Sequence, residues 1–156
     1  MRVKNLVLLV EDDASLRRSL EKFLNQAGYT FDSCSTATQA LALARKAPPQ
    51  VVILEYHLPD ANGPSLIEKL MFIAPTAAIV LSEYDFQAIA DDLDRVKIEM
   101  FLKKPFDIVD LEVALRSACA KVGSNSTQSE CLPEVKLEGA PASNCLQGTL
   151  RNRSRL

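Results

Sequence analysis

Four short segments of this chain carry the side chains that phosphoryl chemistry uses: Glu11-Asp12-Asp13, Glu55, Ser82-Glu83 and Lys103-Lys104-Pro105. Two or three convergent carboxylates drawn from the first two segments would repel one another, which raises their pKa values unless a divalent cation or a lysine compensates. Oxygen ligands favour Mg²⁺ as that cation. A hydroxyl and an ammonium opposite the acids would contact the outer oxygens of a phosphoryl group bridged to it, so the set is suited to phosphate. Taken singly, each residue has a local explanation: Asp13 can cap a helix, Ser82 can start a turn, and Lys103 and Lys104 can be surface charge. Their joint placement at the ends of apolar runs is the informative feature.

Those runs, Asn5–Val10, Thr30–Cys34, Val51–Leu54, Ala78–Leu81 and Met100–Leu102, are predicted as five strands. Most are apolar throughout, which fits a parallel sheet covered on both faces better than a half-exposed antiparallel one. Between them the period becomes helical. Leu16, Leu20, Phe23, Leu24 and Ala27 form one stripe, with Asp13 as N-cap and Gly28 as stop. Ala37, Ala40, Leu41 and Ala44 mark a second helix ended by Pro48-Pro49, and Pro64 opens a third through Leu66, Ile67 and Leu70. Phe86, Ile89, Ala90 and Leu93 mark a shorter fourth, and a fifth runs from about Asp107 to Lys121. Strand and helix alternate, as in βαβ units, and such sheets gather ligands where strands end.

The chain has 156 residues, 47% of them apolar and 24% charged, with 18 basic and 20 acidic side chains. That suits one domain with its own core, expected over residues 1–122, followed by a disordered tail over 123–156 that is rich in turn formers and nearly neutral. The only histidine is His57 and the four cysteines are scattered, so zinc spacing and a disulfide framework are not expected. No apolar run approaches a membrane span and no signal peptide is recognised, so a cytoplasmic location with no membrane contact is expected. The formal charge of −2 gives no electrostatic footprint for nucleic acid, and the tail leaves no room for a DNA-reading output domain. Direct DNA binding is therefore not expected.

Leu8-Leu9-Val10-Glu11-Asp12-Asp13, Leu54-Glu55-Tyr56-His57-Leu58-Pro59-Asp60-Ala61-Asn62-Gly63, Val80-Leu81-Ser82 and Phe101-Leu102-Lys103-Lys104-Pro105-Phe106 resemble the receiver domain of bacterial response regulators, over residues 5 to about 121. The resemblance implies a flavodoxin-like α/β fold: a doubly wound five-stranded parallel sheet, order 2-1-3-4-5, with five helices. It also implies a carboxylate after the third strand that accepts a phosphoryl group from a histidine kinase. Glu11 and Asp12 match the Mg²⁺-binding acids, with Glu55 completing the metal set. Ser82 matches the switch hydroxyl, Phe101 the switch aromatic, and Lys104 the conserved lysine, whose bond to Pro105 the family makes cis. Output and dimerisation in the family use the face of the fourth helix, fifth strand and fifth helix, so a protein partner or a second copy is expected there.

One departure decides the mechanism: the family has aspartate where this chain has Glu55. The additional carbon–carbon bond advances the carboxylate by about 1.5 Å, and a misplacement of about 1 Å can cost on the order of a hundredfold in an aligned reaction. Phosphorylation of Glu55 is therefore expected to be poor. Its oxygen is expected near Lys104 and Ser82 instead, as a partial phosphomimic. Whether Mg²⁺ still binds is left open. Glu83, where the family has a small residue, is expected to obstruct phosphodonor entry. The chain is thus read as a non-enzymatic signalling protein. The alternatives are conventional phosphorylation, on Glu55 or on a neighbouring acid such as Asp60, and, from another class, a Mg²⁺-dependent phosphohydrolase.

Overall fold

The computed structural model describes residues 6–125. Elements alternate without exception: β1 (Leu6–Val10), α1 (Ala14–Gln26), β2 (Thr30–Cys34), α2 (Ala37–Lys46), β3 (Val51–Glu55), α3 (Gly63–Ile73), β4 (Ala77–Ser82), α4 (Phe86–Leu93), β5 (Met100–Lys103) and α5 (Ile108–Asn125). The strands form one parallel sheet in the order β2-β1-β3-β4-β5, the doubly wound α/β architecture that the resemblance implies.

Because successive side chains on a strand point to opposite faces, the uniformly apolar strands supply two cores. Leu8, Val10, Val52, Leu54 and Val80 pack with α2, α3 and α4 on one face. Val7, Leu9, Ile53, Ile79 and Leu81 pack with α1 and α5 on the other. Each fully buried Leu, Ile or Val contributes about 1.5–3 kcal/mol. Edge strand β2 carries Asp32 and Ser33 and is only partly buried.

Helix starts follow the polar residues before them. Asp13 accepts the Ser15 and Leu16 N–H groups, Thr36 accepts Gln39 N–H, and Asn62 accepts Ser65 N–H, so each helix begins with an orphan donor satisfied. Gly28, with φ of +87°, turns the chain out of α1 in a conformation that a side chain would strain. Gly63 lets the backbone approach closely instead: a Cβ there would crowd the Tyr56 Cα at 3.3 Å.

The expected boundaries shift slightly. Three strands run further than their apolar runs, to Glu55, Ser82 and Lys103, because ladder pairing with a neighbour holds polar terminal residues as well. Helix α5 continues to Asn125, past its expected end at about Lys121. Asn5, the expected first residue of β1, and the tail from residue 126 onward lie outside the described residues.

Candidate functional site

Strand register brings the chemistry-bearing residues to one level. Val10 pairs with Leu54, Glu55 with Leu81, and Ser82 with Lys103, so β1, β3, β4 and β5 end side by side. Glu11 is the first residue past β1, Glu55 closes β3, Ser82 closes β4, and Lys104 follows β5. The backbone is fixed there too. Glu11 N–H donates to Cys34 O at 3.0 Å, and Lys104 N–H donates to Ser82 O at 2.7 Å. The Lys104–Pro105 peptide is cis.

Lys104 is the centre of the cluster. Its Nζ donates to Oε2 of Glu11 at 2.9 Å and to Oε2 of Glu55. Each carboxylate spends its other oxygen on its own loop: Glu11 Oε1 accepts Asp13 N–H at 3.0 Å, and Glu55 Oε1 accepts His57 N–H at 3.2 Å. Glu11 is 0% exposed and Glu55 7%, so both acids sit where an unpaired charge would be costly. Burial pushes the Glu11 carboxyl up, outweighing the bonds from Asp13 and Lys104 that pull it down. Burial disfavours the Lys104 ammonium, but the bonds to Glu55 and Glu11 outweigh it, and its pKa stands above the ordinary lysine value.

Asp12 is exposed at the rim, yet one carboxylate oxygen from each of Glu11, Asp12 and Glu55 lies within 4.8 Å of the others. Three hard oxygen donors so close together fit a small divalent cation such as Mg²⁺.

Ser82 is fully buried, and its Oγ accepts Tyr84 N–H at 2.9 Å. Glu55 makes the expected bond to Lys104 but none to Ser82: its carboxylate is held by Lys104 and the His57 N–H, while the serine oxygen closes the turn leaving β4. Phe101 is half-buried and meets Phe86 edge to face at 5.3 Å. His57 is exposed at the rim. Glu83, also exposed, lines with Lys104 a 540 Å³ cleft between α1 and the start of α5.

Asp60 is held away from this chemistry. Its two oxygens accept Ala37 N–H at 2.9 Å, Thr38 N–H at 2.9 Å and the Thr38 hydroxyl at 2.7 Å, tying the β3–α3 loop to the start of α2. The Thr38 hydroxyl bond, then the two backbone bonds, lower its pKa to about 2.

Sequence reading missed Tyr56. Its ring is buried beneath the site, and its hydroxyl donates to Asp92 Oδ2 on α4 at 2.5 Å. Burial first, and then the Asp92 carboxylate, push the phenol up to about 12. Tyr56, His57 and Tyr84 stand with ring centroids 6.2 Å apart in each pair. No spacing rule connects residues 36 positions apart, so the contact had no local signature.

The family model described as "Response regulator receiver domain" matches residues 7–116. The "Transcriptional regulatory protein KdpE" of Mycobacterium tuberculosis is 33% identical over 118 residues, covering 72% of this chain and 50% of that protein. The "Probable transcriptional regulator ycf27" of Porphyridium aerugineum is 28% identical over 131 residues, covering 81% and 52%. The chain thus spans about half the length of the curated relatives it matches. Among solved structures, the signal receiver domain of an HD domain-containing protein from Pseudomonas fluorescens Pf-5 is 30% identical, with a TM-score of 0.75 over 81% of this chain and 95% of that one.

Proposed function

The chain belongs to the response regulator receiver family of two-component signalling, and we propose that within it the chain is a pseudo-receiver, with Glu55 as a built-in partial mimic of a phosphoryl group. Relatives of this kind are regulators, not classical enzymes. The observation that supports the reading is the bond from Lys104 to Glu55: the ammonium that would meet a phosphoryl oxygen is already occupied by a carboxylate of the same chain. The glutamate is also one bond longer than the family's aspartate, which disfavours its own phosphorylation.

In this reading Glu55, Ser82 and Lys104 form the responding site, and Phe101, on the strand next to Ser82, is the switch aromatic. Receiver domains generally bind Mg²⁺ at their acidic pocket. Glu11, Asp12 and Glu55 would hold it here, and the cation would neutralise phosphoryl oxygens. The ion would compete with Lys104 for Glu11 and Glu55, so we expect weak binding.

Receiver domains interact with histidine kinases and often dimerise. For this chain we assign contact with a protein partner, or with a second copy, to the α4–β5–α5 face. Phe86 on α4 and Val109 and Val113 on α5 are exposed, apolar side chains on two of the elements that frame this face, which suits an interface. Direct DNA contact by this domain is not part of the proposal, since residues 1–121 carry 14 basic and 17 acidic groups. Among the described residues no helix is long and apolar enough to cross a membrane; it is as a member of the receiver family that we assign the chain to the cytoplasm. The assignment of the receiver domain to residues 1–122 belongs to the same proposal.

A pull-down comparing wild type with Glu55→Ala and Glu55→Asp tests output and acceptor chemistry together. Capture by wild type above both variants, without phosphodonor, is expected. Equal capture by all three refutes the mimic.

A further inference from the structure

We propose that Tyr56 is a positioning residue that links both ends of the responding site to α4, through its hydrogen bond to Asp92. Its place in the chain makes it the junction. It directly follows Glu55, and its backbone is held on two sides: Tyr56 N–H donates to Leu81 O at 2.8 Å, and Tyr56 O accepts Gly63 N–H at 2.7 Å. A displacement of Glu55 therefore reaches the Tyr56 ring through a stiff segment. Ser82 reaches the same ring by another route. Its Oγ holds Tyr84 N–H, and the Tyr84 ring meets the Tyr56 ring edge to face at 6.2 Å and 79°.

At the far end of the ring lies a helix with few other ties. Helix α4 has eight residues, its N-cap Asp85 makes no side-chain cap bond, and only Ile89 and Leu93 are buried. A helix of two turns is not stable without tertiary contacts, so one directed bond from a rigid partner carries a large share of its placement. The Tyr56 hydroxyl donates to Asp92 Oδ2 at 2.5 Å, one position before buried Leu93, and so acts on the last turn. Phe86, in the first turn, packs on Phe101 at 5.3 Å, so a rotation or shift of α4 changes how that aromatic pair presents itself. This linkage does not depend on whether Glu55 is phosphorylated.

The test is amide hydrogen exchange and heteronuclear NMR on the full chain. Tyr56→Phe removes one hydroxyl and keeps the ring, and is expected to speed exchange of the α4 amides at least about tenfold, the lower end of what one hydrogen bond to a charged acceptor is worth. Amides of β1 and β3 should exchange as in wild type. Asp92→Asn, which keeps a neutral acceptor, should give a smaller effect in the same helix. Unchanged α4 exchange, or an equal acceleration in β1 and β3, overturns the proposal. The linkage itself is read with Glu55→Gln. That substitution is expected to shift the α4 amide resonances when Tyr56 is present and to lose most of that effect in the Tyr56→Phe background. Equal shifts in both backgrounds, or none in either, refute Tyr56 as the junction. Phosphodonor labelling of Glu55, measured separately, decides the mimic and leaves this result standing.

Discussion

Shortening Glu55 to aspartate is the sharpest perturbation available, because the two roles proposed for the side chain respond in opposite directions. In the native protein the carboxylate bridges from the His57 N–H, at 3.2 Å, to the Lys104 ammonium. Withdrawing it by about 1.5 Å breaks the bridge at one end. The N–H two residues on remains within reach of an aspartate, as in the turns this residue commonly closes. The ammonium does not, and Lys104 stays with Glu11 at 2.9 Å. Losing one bond between charged groups costs about 1.5–3 kcal/mol, and the retained Glu11 bond keeps Glu55→Asp near the lower figure. The same retreat gives an incoming phosphoryl group about 1.5 Å more room in front of Lys104. If alignment is what blocks wild type, relieving it raises the labelling rate on the order of a hundredfold.

Acetyl phosphate with Mg²⁺ supplies the assay, read by intact mass and by phosphate-affinity gel shift, with acid and alkali lability identifying an acyl phosphate. Wild type is expected to stay unmodified while Glu55→Asp becomes labelled. Since Glu83 lies beside Lys104 in the same cleft, the pair Glu55→Asp with Glu83→Ala is run alongside. A stable acyl phosphate on wild-type Glu55 refutes the reasoning. So does a folded double variant that takes no label, for then side-chain length is not what withholds the chemistry.

Three further outcomes follow from the same geometry. Asp60 has a folded pKa of about 2, below its unfolded value, so its contribution to stability is present above about pH 4 and is lost as pH falls through 2; Asp60→Asn should unfold over a narrower acid range than wild type in a circular dichroism titration, and an identical acid transition counts against the cap on α2. Lys104→Met leaves Glu11 and Glu55 buried without an ammonium between them, so the Glu11 carboxyl, already raised by burial, rises further and the variant should lose about 3 kcal/mol at neutral pH, regaining part of it as pH falls towards 5; urea unfolding at both pH values measures this, and a pH-independent loss contradicts it. Leu24→Ala, fully buried on α1 and away from the site, should cost about 2–5 kcal/mol in urea while leaving phosphodonor behaviour unchanged.

What could be read from the sequence divides along a physical line. Strands such as Val51–Glu55 and Ala77–Ser82 are buried on both faces, so their apolar runs stood out, and helix starts at Asp13 and Pro64 are local events with local signatures. The residues at strand ends were legible for the same reason: once the sheet is parallel, its register carries them to one edge. What was not legible depended on side-chain geometry across the fold. Nothing in the spacing says that Asp60 turns back to α2, that Ser82 bonds Tyr84 and not Glu55, or that Tyr56 reaches Asp92 on a helix 36 residues later. The polar ends of strands were under-read because hydropathy stops where the ladder does not.

The division of partners at the site sets how far a glutamate can imitate a phosphoryl group. Such a group brings about −1.5 to −2 charges and three acceptor oxygens, enough to engage a lysine and a hydroxyl together. Glu55 brings one charge and two oxygens, one of which is committed to the His57 N–H. It can therefore satisfy Lys104 and no more, while Ser82 is left holding Tyr84 N–H. A device that completes the lysine half of the response and leaves the hydroxyl half undone yields a bias between two states, not a lock. A preference of about 1.4 kcal/mol changes the ratio of states tenfold, a margin that differential binding of a partner readily exceeds. On the proposed reading the chain responds to the protein that meets its α4–β5–α5 face, and the contact itself completes the change that a phosphoryl group would otherwise complete.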